Sequence, residues 1–215
     1  MSCYQKHMAV SQSGGQDLKI TVLTWPENNV LVHVSDFVPV PTSRPLSLRL
    51  STMKSAPTRK TPAEKRSSWI SHRASLQHDP ALYDETLMSS TCEDEDGNMR
   101  CDILEGLTSN VVFMKLDSDE YYTAPVDRVL PGSVLSLLDA VLGKKLVYKC
   151  ATLSDLLDGA FQGAFLTSTS RVLCPVGSIE VMETARVVTF SKNDYESRLD
   201  HVRSQVFEEM KRRIH

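Results

Sequence analysis

Little in this chain commits it to metal or disulfide chemistry. Its five cysteines (Cys3, Cys92, Cys101, Cys150 and Cys174) are odd in number and none forms a C-x-x-C pair. That pattern supports neither a disulfide framework nor a zinc ribbon. The six histidines include no H-E-x-x-H, and His33, inside an alternating segment, reads as a packed or edge-strand residue rather than a ligand. Basic excess is missing too: 24 Lys and Arg face 27 Asp and Glu, for a net charge of −3, which gives nucleic acid no electrostatic footprint. No apolar run approaches a bilayer span, and the start, MSCYQKHMAV, lacks the charged-then-apolar design of a signal peptide. The expectation is a soluble, cytoplasmic protein that contacts neither nucleic acid nor membrane. The acidic TCEDEDGNMRC lacks the EF-hand ligand spacing and its terminal glutamate, so calcium is not expected there.

What is present is ordinary globular composition, 41% apolar and 24% charged over 215 residues, enough for one domain with a sizeable core or two small ones. Residues 1–16 read as a flexible start, with Ser13-Gly14-Gly15 as a breaker. LKITVL (Leu18 to Leu23) and NVLVHV (Asn29 to Val34) alternate at period two around the turn TWPENN, which predicts a hairpin. SLRLSTM reads as a third strand, APTRKTPAEKRSSW as a loop and SWISHRASLQ as helical. A short strand is expected around Thr86 to Ser89, an acidic turn around Gly97, and a strand, polar interruption and strand in ILEGLTSNVVFMKL. YYTAP is a short strand closed by Pro125, and KLVYKC another strand. In VLPGSVLSLLDAVLG, Pro131-Gly132 breaks the chain, Ser133 is the expected N-cap, Leu135, Leu138, Val141 and Leu142 share a face, and Gly143 ends the helix. LSDLLDGAF is a helix with Ser154 as N-cap. From Asn193, apolar residues at three- and four-residue steps predict an amphipathic closing helix, basic at its C-terminal end. The class is mixed α and β (α+β), with residues 17–190 as the main domain and 191–215 as the closing helix.

Polar residues embedded in apolar runs are the functional signal. They are Glu105 with Thr108, Ser109 and Asn110, then Gly132-Ser133 before a helix, then Thr167 to Ser170. Upstream lies a lysine-rich loop with Lys54, Lys60 and Lys65. A Gly-Ser entry to a helix offers free N–H groups and a positive dipole end to a phosphate, and a hydroxyl cluster can complete the cradle. A carboxylate on a rigid strand can keep a pyridinium nitrogen protonated, and a lysine can form a Schiff base. Together these meet the needs of pyridoxal phosphate.

ILEGLTSNVVFM, YYTAPVDRVLPGSVLSLL and AFLTSTSRVLCPV resemble the class IV (fold-type IV) pyridoxal-phosphate aminotransferases, a family that includes branched-chain and D-amino-acid aminotransferases and aminodeoxychorismate lyase. The resemblance runs from about Leu18 to Val181. It implies the barrel-like C-terminal domain of the D-amino-acid aminotransferase-like fold, with the small N-terminal domain missing from this chain. It implies Glu105 at the pyridine nitrogen, Ser109 and Asn110 shaping the same site, and Ser133 and the Val134 N–H at the phosphate together with Ser168 and Thr169. In RKTPAEKRSSW the family's R-x-x-P-x-x-K setting falls on Arg59, Pro62 and Lys65, which implies Lys65 as the catalytic lysine, with Lys60 as the fallback. Partners implied are a small amino acid, a 2-oxo acid and, by family habit, a second copy in a homodimer. An active chain would transaminate, or act as a lyase with the same lysine. A chain impaired by truncation would bind or scaffold only. Departures are Leu135 in place of the family's arginine, Val134 in place of a hydroxyl, and Gly163 where an acid is usual.

Overall fold

A computed structural model of the chain describes residues 18–25, 29–36, 44–52, 69, 71, 73–77, 79–93 and 96–214. Residues 1–16, and with them Lys54, Arg59, Lys60, Pro62 and Lys65, lie outside the described residues. The chain forms two compact units, Met1–Val40 and Pro41–His215. In the first, strands β1 (Leu18–Trp25) and β2 (Asn29–Asp36) pair antiparallel from Leu18↔Asp36 to Trp25↔Asn29. The alternation of LKITVL and NVLVHV sets this register: Ile20 meets Val34 and Val22 meets Val32 on one face.

The second unit runs β3 (Leu46–Ser51), β4 (Glu85–Glu93), β5 (Met99–Gly106), β6 (Asn110–Lys115), β7 (Tyr121–Thr123), helix α1 (Ser133–Leu142), β8 (Leu146–Tyr148), helix α2 (Leu153–Leu157), β9 (Phe161–Ser168), β10 (Val172–Val181), β11 (Arg186–Thr189) and helix α3 (Lys192–Ile214). The order β10-β3-β4-β5-β6-β9 returns to β10, so these strands close a six-stranded barrel. β3 is parallel to both of its neighbours and the other pairings in the ring are antiparallel. Closure removes the sheet edges that an open sheet would leave to aggregate. β11 adds to β10, and β7 and then β8 continue from β6 beyond its short contact with β5.

The core follows from alternation. On β3, Leu46, Leu48 and Leu50 are buried while Ser47 and Arg49 are half-buried. They join Ile103, Phe113, Phe165, Leu166 and Ile179 in one cluster. Leu135 and Leu138 of α1 and Tyr195, Leu199, Val202 and Val206 of α3 complete it, as the three- and four-residue spacing of the tail predicts. Gly163 is a packing residue. A Cβ there would come within 2.7 Å of Met114 Cε and 2.8 Å of Tyr195 Cβ, so the missing side chain is what lets α3 lie against β9.

Trp69 and Ser71 are helical and Arg73–Leu76 form a 3-10 turn, as SWISHRASLQ suggests. The strand expected around Thr86 to Ser89 is longer, because β4 and β5 pair outward to Glu93↔Met99, and Gly97 (φ 81) lies in the turn beyond that pair. Both expected N-caps shift. For α2 the cap is Thr152, whose Oγ1 accepts the Asp155 N–H at 3.0 Å while Asp155 Oδ2 accepts the Thr152 N–H at 3.4 Å. This reciprocal capping box outcompetes Ser154. For α1 the cap is Gly132, extended at φ −68 and ψ 152, with no side-chain capping bond. Ser133 is the first helical residue instead.

A candidate cofactor site at one end of the barrel

The E-G-L-T-S-N segment builds a tight hairpin between β5 and β6. Glu105 and Asn110 are paired across it, and the Gly106 N–H donates to the Ser109 carbonyl at 2.8 Å. Gly106 is needed for the close approach: a Cβ there would lie 2.5 Å from Ser109 Oγ and 3.0 Å from Glu85 Cγ. Asn110 then reaches to the segment before α1. Its Nδ2 donates to the Leu130 carbonyl at 2.8 Å, and its Oδ1 accepts the Gly132 N–H at 3.3 Å. Gly132 leaves room for this, since a Cβ at that position would sit 2.7 Å from Asn110 Oδ1. Glu105, only 3% exposed, accepts the Leu130 N–H on Oε2 at 3.1 Å. Two side chains of one hairpin therefore hold the L-P-G loop and with it the start of α1.

The β9–β10 hairpin joins the same level of the barrel. Asn110 pairs with Thr167, and Thr167 with Leu173. Directly paired residues share a face, so Glu105, Asn110 and Thr167 line one side of the sheet. Thr167 Oγ1 is buried and makes no hydrogen bond among the described residues. Ser168 is half-buried, with its Oγ 3.3 Å from Ser170 Oγ, and Thr169 is exposed. Val172, which closes this turn, holds φ 52, a left-handed conformation that is strained for a β-branched residue. At the start of α1, Ser133 is exposed, Val134 buries its side chain, and the first turn carries no acid. No acid of the helix itself therefore offsets the positive end of its dipole. Leu135, where the family has arginine, is 2% exposed and belongs to the core.

Glu85 and Arg171 escaped the sequence reading. Glu85, 2% exposed, opens β4, and its Oε2 accepts Thr108 Oγ1 at 2.6 Å and Ser109 Oγ at 3.3 Å. Arg171, in the β9–β10 turn, brings Nη1 to 3.6 Å from the same oxygen. A cation beside a hydroxyl cluster was readable in TSTSR; Glu85 left no signal, because an acid before a strand is usually solvated. Beside it, burial would raise the Asp84 carboxyl, but the Arg44 fork at 2.7 and 2.9 Å and the Ser47 N–H at 2.8 Å hold it below the usual carboxylate range.

The chain's fold is similar to that of several solved structures. With a candidate branched-chain amino acid aminotransferase of Thermotoga maritima the TM-score is 0.64 at 16% identity, covering 94% of this chain and 70% of that one. With a hypothetical aminotransferase of Mycobacterium tuberculosis, in its PLP-bound form, it is 0.60 at 19% identity, covering 95% and 71%. With a candidate 4-amino-4-deoxychorismate lyase of Legionella pneumophila it is 0.59 at 16% identity, covering 82% of this chain and 62% of that one. No curated protein sequence matches the chain. The profile of the class IV amino-transferases matches residues 8–179, a span that includes the E-G-L-T-S-N hairpin, the L-P-G loop and the hydroxyl turn. The chain belongs to the class IV amino-transferase family.

Proposed function

We propose that the chain is a pyridoxal-phosphate-dependent enzyme that moves an amino group between an amino acid and a 2-oxo acid. The observation that carries this reading is the double grip of Glu105 and Asn110 on the Leu130–Gly132 loop. It keeps a buried carboxylate beside the uncapped start of a ten-residue helix. The residues suit the cofactor's two ends. A carboxylate meets a ring nitrogen, while helix N–H groups, Ser133, Ser168 and Thr169 meet a phosphate. The buried, unpartnered Thr167 Oγ1 marks the hydroxyl turn as short of a hydrogen-bond partner.

The cofactor, when bound, supplies an electron sink for the carbanion formed at the substrate's α-carbon. Glu105 holds a proton at the ring nitrogen. Asn110 fixes the loop that carries the Ser133 and Val134 N–H groups, which would hold the phosphate. Lys65, outside the described residues, is the proposed covalent anchor and moves the α-proton as general base. The fold similarity to the Legionella lyase candidate favours a second reading, in which the same lysine assists loss of a leaving group. Self-association as a homodimer belongs to the same proposal and is read by light scattering.

The test is a titration with pyridoxal phosphate, followed by borohydride reduction and mass mapping. The expected result is a visible absorbance band and one adduct on Lys65, both lost in Lys65→Ala. An adduct on Lys60 moves the anchor there. A chain that takes up no pyridoxal phosphate overturns the enzymatic reading in favour of a scaffold.

A further inference from the structure

Three donors from two different turns converge on one buried oxygen. Thr108 and Ser109 reach Glu85 Oε2 from the β5–β6 turn, and Arg171 approaches it from the β9–β10 turn. A carboxylate that is 2% exposed must be compensated, and this one ties together two loops that are far apart in the chain. The compensation is incomplete. Arg171 Nη1 lies within ion-pair range, but at 3.6 Å it is beyond hydrogen-bond reach. It is a buried donor with no hydrogen bond among the described residues. An arginine present only to neutralise an acid normally closes a direct fork.

The network lies on the reverse side of the hairpin from the grip on α1. Gly106 follows Glu105, so its missing Cβ would point away from the Glu105 side, and that Cβ would meet Ser109 Oγ and Glu85 Cγ. One side of the sheet thus holds the helix start through Glu105 and Asn110. The other side sets the spacing between the hairpin and the turn that carries Ser168 and Thr169.

We infer that Glu85 and Arg171 are a positioning pair that aligns the Ser168–Thr169 turn with the start of α1 for a phosphate monoester. The inference rests on the function proposed above. The ring end of the ligand is held independently, by Glu105 and its bond from Leu130. Loosening the pair therefore misplaces the phosphate donors while leaving the ring contacts intact. A purely structural ion pair would weaken every ligand alike through loss of fold.

The experiment measures the affinity of the full chain for pyridoxal phosphate and for phosphate-free pyridoxal by absorbance titration, with a thermal melt on each variant. The wild type is expected to prefer the phosphorylated form. Arg171→Met should cut that preference by about tenfold, with pyridoxal affinity unchanged, because a charge-assisted contact is removed. Arg171→Lys, which keeps a point charge facing Glu85, should restore most of it. Thr108→Val, at an exposed residue, should lower the preference in the same direction by about threefold, so the inference survives a failure of Arg171→Met to fold. An unchanged preference in Thr108→Val together with equal losses for both ligands in Arg171→Met overturns it. A wild type that binds pyridoxal phosphate but whose preference ignores all three variants overturns the positioning pair alone. A wild type that binds neither ligand overturns the function reading and the pair with it.

Discussion

Asp102 and Glu105 stand three residues apart on β5, both almost fully buried, at 0% and 3% exposure, and they are used in different ways. Asp102 is enclosed by side chains of its own chain. Arg128 Nη1 donates to Oδ2 at 2.5 Å, Arg100 Nε lies 2.7 Å from Oδ1, and Cys92 Sγ donates at 3.4 Å. Arg128 also reaches Cys150 Sγ at 3.3 Å, beside the small cluster of Leu104, Ala124, Val129 and Cys150. Glu105 takes the main-chain N–H of the loop that leads into α1. Buried charge by itself therefore does not mark a site. A carboxylate enclosed by guanidinium groups is committed to the fold, whereas one that positions a helix start also sets where an anion can bind.

The strongest way to break this comparison is Asp102→Asn. Removing one partner of a buried ion pair leaves charges uncompensated, and the expected loss is about 3 kcal/mol, with ligand affinity unchanged. The pH dependence has a definite sign. Burial would raise the Asp102 carboxyl, but the bonds and charges of Arg128 and Arg100 outweigh it and hold the carboxyl below the usual range. A carboxyl depressed in the folded state contributes stability that is present above its unfolded value of about 3.9 and is lost as pH falls through the lower folded value. Urea melts from neutral to acid pH should show wild-type stability falling at the acid end, with a flatter profile in the variant. An equal slope in both would mean that Asp102 does not carry the acid sensitivity.

Next in size are the two residues of the loop clamp. Asn110→Ala strands the Leu130 carbonyl and should cost about 2 kcal/mol. Gly132→Ala forces a Cβ to 2.7 Å from Asn110 Oδ1 and so dislodges the same amide, for about 2 kcal/mol. Because both act through one contact, the double variant should cost little more than either single one. Additive losses would show that the loop is held by something other than Asn110. Both variants should also weaken pyridoxal phosphate binding, which Asp102→Asn should not.

How much of this was legible in the sequence depended on the range of the interaction. Period-two alternation gave β1 and β2 and the closing helix fell where three- and four-residue steps put it, because those signals live within a few neighbours. The strand, polar interruption and strand read in ILEGLTSNVVFMKL form one hairpin that pairs Glu105 with Asn110. Caps were misread where a second residue decided them: Asp155 selects Thr152, and Asn110, by holding the Gly132 N–H, leaves Ser133 as the first helical residue. Gly163 looked like a departure from a family acid, and the packing of Met114 and Tyr195 explains it. Arg171 and Glu85 are 86 positions apart, and nothing local to either shows that they meet.

The smallest expected change in stability, and the sharpest test of the comparison, belongs to Glu105→Gln. A glutamine oxygen can still accept the Leu130 N–H, so the loop grip persists and the fold should lose under about 1 kcal/mol. Its chemistry should change far more. On the proposed function, a neutral amide would not keep a proton on a pyridine nitrogen, and amino transfer should fall by about 100-fold or more while the cofactor still binds. Stopped-flow measurement of the first half-reaction with an amino acid donor reads this directly. If Glu105→Gln instead destabilised the chain as much as Asp102→Asn does, the charge at Glu105 would be serving the fold, and the contrast between the two carboxylates would vanish.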